Sequence, residues 1–419
     1  MKLGSFPVLV AAAACALACA DTSRPVRPMP AASSLMLTPP FSDAKPDPQL
    51  AAMGKEIFRH DTFGDELFWT DQLRMHEVIA GGANGTVGAG GVSPKTALAV
   101  GLKVDADALP QAVKDAIAAG KVNLDDPATT LALLQLDAVV GLKGIVETAN
   151  GAPRLTRVGI TCALCHSTVD NSFAPGIGHR LDGWPNRDLN VGLIVSLSPA
   201  LQAAETQAVL RSWGPGKYDA YWNHDGKNNP TVIPPAFGLR HVDLETFTGE
   251  GPISYWNAYV AVTQMHGQGS FSDPRLGINV TADPDLVTPK LPALREYQRS
   301  LTAAVPPAGS FDPAAAQRGR EVFASAGKCV NCHLGPALTD AGIRLHDPSE
   351  TGMDPLLATR ATTGKYRTTP LHGVWQHPPY FHDGSAATLW DVVQHYDKVL
   401  GLQLSDGQKH DLVEYLKAL

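Results

Sequence analysis

Charge is scarce in this chain of 419 residues. Charged side chains make up 18%, and Asp and Glu (41) outnumber Lys and Arg (34), giving a net charge of -7. That balance gives no footing for nucleic-acid binding, which needs a basic surface. Apolar runs are also short. Past the N-terminus none approaches the ~20 residues a bilayer-spanning helix requires, so no transmembrane span is expected. Neither a Ser-His-Asp arrangement nor a phosphate-cradling glycine loop nor a paired-acid motif stands out, and Asp383 and Glu250 are not identifiable as general acid or base from spacing. Cysteine is limited to six residues. Glycine (39) and proline (33), by contrast, are more frequent than the ~12% usual for the pair, which suits long irregular segments around a bound group.

Four of the six cysteines fall in one pattern used twice: Cys162-Ala163-Leu164-Cys165-His166 and Cys329-Val330-Asn331-Cys332-His333. Two thiols three residues apart lie on one helical turn, and an imidazole follows at once. This is what covalent attachment of c-type haem requires, with the histidine as proximal iron ligand. Thioredoxin-like redox pairs, zinc ligands and structural disulfides also use C-x-x-C. A zinc ribbon, however, spaces its two pairs by about 15–20 residues, and a redox pair has no use for the repeated histidine. The pattern therefore predicts two covalently bound c-type haems, on Cys162 and Cys165 and on Cys329 and Cys332. His166 and His333 are the expected proximal ligands.

The N-terminus supports this reading. Lys2 precedes an uncharged run from Phe6 to Ala20, too short to span a bilayer, and Ala18-Cys19-Ala20 is an A-x-A cleavage site. Residues 1–20 read as an export signal and 21–46 as a flexible leader rich in Pro, Ala and Ser. Ala16-Leu17-Ala18-Cys19 is a second option, a loose lipoprotein box with Cys19 as anchor. Either route places the protein in the periplasm.

Two internal echoes bracket the haem motifs. Gly54-Lys55-Glu56-Ile57-Phe58 matches Gly319-Arg320-Glu321-Val322-Phe323, and Leu294, Glu296, Tyr297 and Leu301 share the spacing of Leu412, Glu414, Tyr415 and Leu419. Asp312 and Pro313 open the second of these helices, and a Ser405-x-x-Gln408 capping box opens the last. The fold class is thus mainly α, in two copies of one plan: residues 47–303 and 312–419, with a Pro-rich linker over 304–311. The copies differ before the haem. Phe323 precedes Cys329 by 6 residues, whereas Phe58 precedes Cys162 by 104. The first copy therefore carries an insertion over about residues 59–158. Its Gly81–Gly91 stretch is expected to be a mobile loop, and Pro110–Ala119 and Thr129–Val146 to be mostly helical.

Opening and closing helices around a C-x-x-C-H motif resemble tandem class I cytochrome c domains. The C-terminal copy resembles something narrower. Tyr366-Arg367-Thr368-Thr369-Pro370-Leu371, Pro378-Pro379-Tyr380-Phe381-His382-Asp383-Gly384-Ser385, Ala387-Thr388-Leu389 and Val392-Val393 are similar to the second domain of the bacterial di-haem cytochrome c peroxidase and MauG family. Residues 47–303 depart from that family's pattern in the long helix-to-haem spacing and in lacking an F-W-D-G-type segment. The resemblance implies a distal ligand for the second haem at Tyr396, where peroxidases place Met and MauG-like proteins Tyr; Met353 is the runner-up. Phe247 and Trp256 repeat the spacing of Phe381 and Trp390. On that alignment Met265 lies nearly on the helix face of the Tyr396 equivalent, so Met265, then His266, are the candidates for the first iron, ahead of His179 and His241. Trp213, Trp222, Trp256, Trp375 and Trp390 are candidate electron relays. The resemblance also admits a calcium ion (Ca2+) between the copies, for which the sequence offers no recognisable ligand set.

These features predict an electron-transfer oxidoreductase of the di-haem peroxidase kind, using a redox protein as electron donor or acceptor and hydrogen peroxide as oxidant. The alternatives are a pure electron carrier with two six-coordinate haems, and a MauG-like oxidase of a non-peroxide substrate.

Overall fold

A computed structural model describes residues 45–419 apart from Asn150 and Asp243; the expected export signal, Cys19 and nearly all of the expected leader lie outside that range. Among the described residues six helices are ten residues or longer: α1 (Pro48–His60), α2 (Ile253–Thr263), α3 (Leu291–Ser300), α4 (Pro313–Ala324), α5 (Leu389–Leu400) and α6 (Asp406–Lys417). Strands pair only in twos; the longest hairpin joins β1 (Leu142–Ala149) and β2 (Ala152–Ile160). The protein is mainly α.

The echoes in the sequence mark two helix crossings of the same construction, α1 on α3 and α4 on α6. A Cβ on Gly54 would lie 2.0 Å from the Ala293 carbonyl oxygen, and one on Gly319 would lie 1.9 Å from that of Asp411. Only glycine permits so close an approach. One turn on, Phe58 meets Tyr297 edge-on at 5.4 Å, and Phe323 meets Tyr415 at 5.2 Å. Asp47 and Asp312 cap their helices through their carboxylates. Their own backbone N–H groups donate to Glu296 (3.2 Å) and Glu414 (2.7 Å) respectively. Gly, Phe, Glu and Tyr recur because each occupies the same contact. Full burial of Phe58 and Leu294, like that of Phe323 and Leu412, stabilises each crossing by ~1.5–3 kcal/mol per side chain.

The inserted segment has a core of its own, built from Trp69, Leu73, Leu131, Leu134, Leu155 and Val158 among others. Its chain runs as short helices, including Gln111–Ala118 and Pro127–Gln135, followed by the β1–β2 hairpin. The helical expectation for Thr129–Val146 therefore holds only in its first half. The helix ends at Gln135, Asp137 takes a left-handed conformation (φ 53°), and past Gly141 (φ +79°), which lies close against Leu164, β1 pairs with β2 in the register Leu142↔Ile160. Gly81–Gly91 is packed rather than free. Gly81 bridges Val87, Thr86 bridges Arg154, and a Cβ on Gly85 would strike the Leu155 carbonyl at 1.9 Å.

The two halves interlock. Leu357, Ala358 and Tyr366 from the C-terminal half complete an aromatic core with Tyr255, Trp256 and Tyr259 of α2. Arg360 crosses the same seam to Asp219 and Asp225, both at 2.8 Å, and its side chain is 1% exposed. Arg367 reaches Glu245 at 3.1 Å, and the Thr362 hydroxyl donates to Glu250.

Candidate haem-binding sites

Cys162 follows β2 directly and opens a single helical turn, Ala163–His166. The turn is held from outside. Thr161 N–H donates to the Gly141 carbonyl, and Cys165 and His166 carbonyls accept from Asn186 and Gly183. Cys162 packs both against the α1–α3 core and against the aromatic core around α2. The second motif forms a 3-10 turn, Cys329–Asn331, entered through Lys328 at φ 54°, and Cys329 packs against the α4–α6 core. All four cysteines are free thiols. Burial pushes Cys162, Cys165 and Cys329 up to about 12, and it also raises Cys332. Apolar surroundings raise a thiol's pKa, and reactive cysteines instead lie in electropositive, partly exposed places.

The histidines show the closest correspondence between the sites. His166 Nδ1 lies 3.1 Å from the Pro234 carbonyl oxygen, and His333 Nδ1 lies 2.9 Å from that of Leu338. A carbonyl can only accept, so each Nδ1 carries the proton and each Nε2 keeps its lone pair for a metal. Burial lowers both pKa values, that of His166 to about 4, which keeps the rings neutral at pH 7. Paired thiols on one turn beside a neutral imidazole with a free Nε2 fit a haem iron at both sites.

The candidate distal ligands fall in different surroundings. Tyr396 lies on α5 next to the second motif, close enough that the Cys332 and Cys329 thiols reinforce the burial that raises its pKa. Its ring meets Phe381 edge-on at 5.9 Å. Met353 packs instead against the aromatic core around α2. Met265 is buried in that same core, which includes Cys162. It does not share a helix face with the Tyr396 equivalent, because α2 stops at Thr263. His266 takes a left-handed conformation (φ 62°), and Gly267 N–H reaches back to the Ala261 carbonyl, a bond that terminates the helix. The His266 ring stacks on Phe68 of the inserted segment at 3.7 Å; the residue is exposed overall, yet desolvation of the ring takes its pKa down to about 4. His179 sits at the surface against Asp107 at 2.8 Å, and His241 is half-buried beside the 3-10 turn Leu239–His241. Glu250 accepts from Tyr221 and Thr362, and Asp383 accepts from Ser385 N–H.

Several contributors were not legible beforehand. Pro234 supplies the first histidine's acceptor. Trp184 meets Trp375 edge-on at 5.9 Å across the seam, whereas Trp213 pairs with Trp222 and Trp390 with His410. Tyr366 and His382, from two of the C-terminal motifs, stack at 4.7 Å with the hydroxyl 3.2 Å from Nε2. Among the described residues one trio of metal-ligating side chains lies close together, Cys332, Asp340 and His346. Its thiol and imidazole are not the oxygen donors that calcium takes. No described helix is long and apolar enough to cross a membrane.

The mainly α fold and its two iron-ready Cys-x-x-Cys-His sites define a haem protein of the cytochrome c class. Residues 364–399 match the family model described as RoxA-like, cytochrome c-like. Over 292 residues the chain is 27% identical to the methylamine utilization protein MauG of Methylorubrum extorquens, covering 64% of this chain and 74% of MauG. It is 29% identical over 151 residues to a cytochrome-c peroxidase of Denitromonas iodatirespirans (25% of this chain, 40% of the relative). It is also 29% identical over 110 residues to the cytochrome c551 peroxidase of Nitrosomonas europaea (24% and 33%). It thus spans less than half the length of either peroxidase. The chain is therefore similar to di-haem cytochrome c peroxidases and MauG proteins, most extensively to MauG.

If Tyr396 ligates the second iron, Tyr396→Phe must change that haem's absorption and EPR signals while leaving the first haem's in place. An unchanged second-haem spectrum would remove Tyr396 from the iron.

Proposed function

We propose that the chain is an exported, periplasmic di-haem c-type cytochrome acting as a peroxidase-type oxidoreductase, with tandem cytochrome c-like units over 47–303 and 312–419 and a linker over 304–311. The observation that carries this reading is the matched tether of His166 and His333, each neutral with Nε2 free beside two protonated thiols. When bound, a haem at each site supplies one-electron chemistry that no side chain here can supply. Cys162 and Cys165, and Cys329 and Cys332, would hold the two groups covalently, and His166 and His333 would be the proximal iron ligands. Pro234 and Leu338 fix the ring orientations and raise ligand basicity through the Nδ1 protons. Tyr396 would hold the second group from the distal side, and as a hard anionic donor it would favour the oxidised state. The first site, if its distal side is open, would be the one to admit hydrogen peroxide, and a redox protein would exchange electrons with the chain. Across the seam Trp184 and Trp375 supply an aromatic contact for transfer between the sites.

Met265 supports a second reading, a carrier without substrate. Its thioether is buried in the core that includes Cys162, and a permanent Met265 ligand, or His266 in its place, closes the first iron to peroxide. The inserted segment, with its own apolar core, leaves room for a third reading, oxidation of a substrate other than peroxide. Spectroscopy of the purified protein separates these. Adding peroxide or carbon monoxide in each redox state should perturb the first haem alone. Two low-spin haems inert to both would establish the carrier instead.

A further inference from the structure

Arg187 is a half-buried cation for which no carboxylate partner is found among the described residues. Its Nε and Nη1 are both shielded from solvent and make no hydrogen bond. The adjacent Asp188 is exposed and paired with Lys103. The titratable groups facing the guanidinium come from the C-terminal half, Tyr380 and His377. Tyr380 is held up at about 12 by burial and His377 down to about 3, so both are neutral at pH 7. Burial also draws Arg187 itself down to about 10, which still leaves it charged. Two shielded guanidinium N–H donors without acceptors are costly, and a site of this kind is completed when an anion joins it.

The backbone around Arg187 ties it to the first motif. Asn186 N–H donates to the Cys165 carbonyl at 2.8 Å, and Gly183 N–H donates to that of His166 at 2.8 Å. On its other side Arg187 lies against Gly216, where a Cβ would come within 2.5 Å of the Arg187 carbonyl oxygen. The Gly216 carbonyl accepts from Ile233, next to the Pro234 that orients His166. Arg187 is thus fixed between two segments that are each bonded to the first Cys-x-x-Cys-His motif. A haem attached there brings two carboxylates of its own. We propose that Arg187 binds a propionate of the haem carried by Cys162 and Cys165, in the two-pronged geometry that guanidinium and carboxylate share. The assignment rests on the haem reading above. It makes Arg187 a tuning residue, since a cation fixed beside the porphyrin favours the ferrous over the ferric charge state.

The test is a redox titration of the haem-loaded, full-length protein followed haem by haem. Arg187→Leu should shift the first haem about tenfold toward ferric at fixed potential, equal to about 59 mV for one electron. It should leave the second haem in place, and the first haem's potential should gain a pH dependence as the freed propionate titrates. Arg187→Lys should restore most of the potential, and Arg187→Gln should behave as Leu if the larger change impairs folding. A loaded Arg187→Gln protein with unaltered potential and pH profile would overturn the proposal, as would a shift confined to the second haem. A wild-type potential that moves with added phosphate would point to a free anion at Arg187 and overturn it too. Absence of covalent haem in the wild type would instead sink the haem reading itself.

Discussion

Gly319→Ala should destabilise the protein by about 3 kcal/mol, at the upper end for overpacking, although the same change on an exposed helix stabilises by up to about 1 kcal/mol. The sign reverses because the new methyl would lie 1.9 Å from the Asp411 carbonyl oxygen and 2.9 Å from the Tyr415 Cβ. Both neighbours belong to α6, and a backbone carbonyl cannot yield as a side chain can. The α4–α6 crossing would open and weaken the Phe323–Tyr415 contact and the Asp312–Glu414 bond. Gly54→Ala should act alike on the first crossing, where the distance is 2.0 Å to Ala293. Gly407→Ala is the control: its Cβ would meet only the Ser405 Oγ, at 3.9 Å. At about 2–4 °C per kcal/mol, the crossing variants should lose roughly 6–12 °C in Tm by calorimetry. Equal Tm for Gly319→Ala and Gly407→Ala would refute the crossing geometry.

Arg360→Met should cost about 3–5 kcal/mol, the range for stranding one partner of a buried pair. Arg360 and Asp219 are each 1% exposed, and Arg360 also bonds the Lys227 carbonyl. Asp219 keeps its N–H donors from Tyr221, Trp222 and Asn229, but these do not neutralise its charge. Asp225, 30% exposed, can turn to water. Adding Asp219→Asn should therefore recover part of the loss. Urea unfolding measures both, and a single variant with the wild-type midpoint would mean that Arg360 does not pin the halves together.

Local spacing made half of this legible. The Gly–Phe and Glu–Tyr echoes could be seen because each lies within one helix, where a fixed offset is a fixed face, and each position meets its counterpart across the crossing. The Ser405 capping box forms as the spacing indicates. Leu338, five residues past His333, was within local reach, but Pro234 stands 68 residues from His166. Nothing local joins Trp184 to Trp375 or Arg360 to Asp219, because each pair is made only when the halves dock. In Thr129–Val146 an almost continuous apolar run hid the change from helix, which ends at Gln135, to strand, which begins at Leu142; runs without clear periodicity do not distinguish the two. Met265 was placed on a helix face because the left-handed turn at His266, a position glycine usually fills, carries no composition signal.

The central claim is that both Cys-x-x-Cys-His sites are built to hold haem. Haemochrome analysis of the exported protein, with the mass of the denatured chain, tests it directly. Two covalent haems per chain are predicted, falling to one when Cys162 and Cys165 are both replaced by serine. One haem in the wild type, or none, would contradict the account.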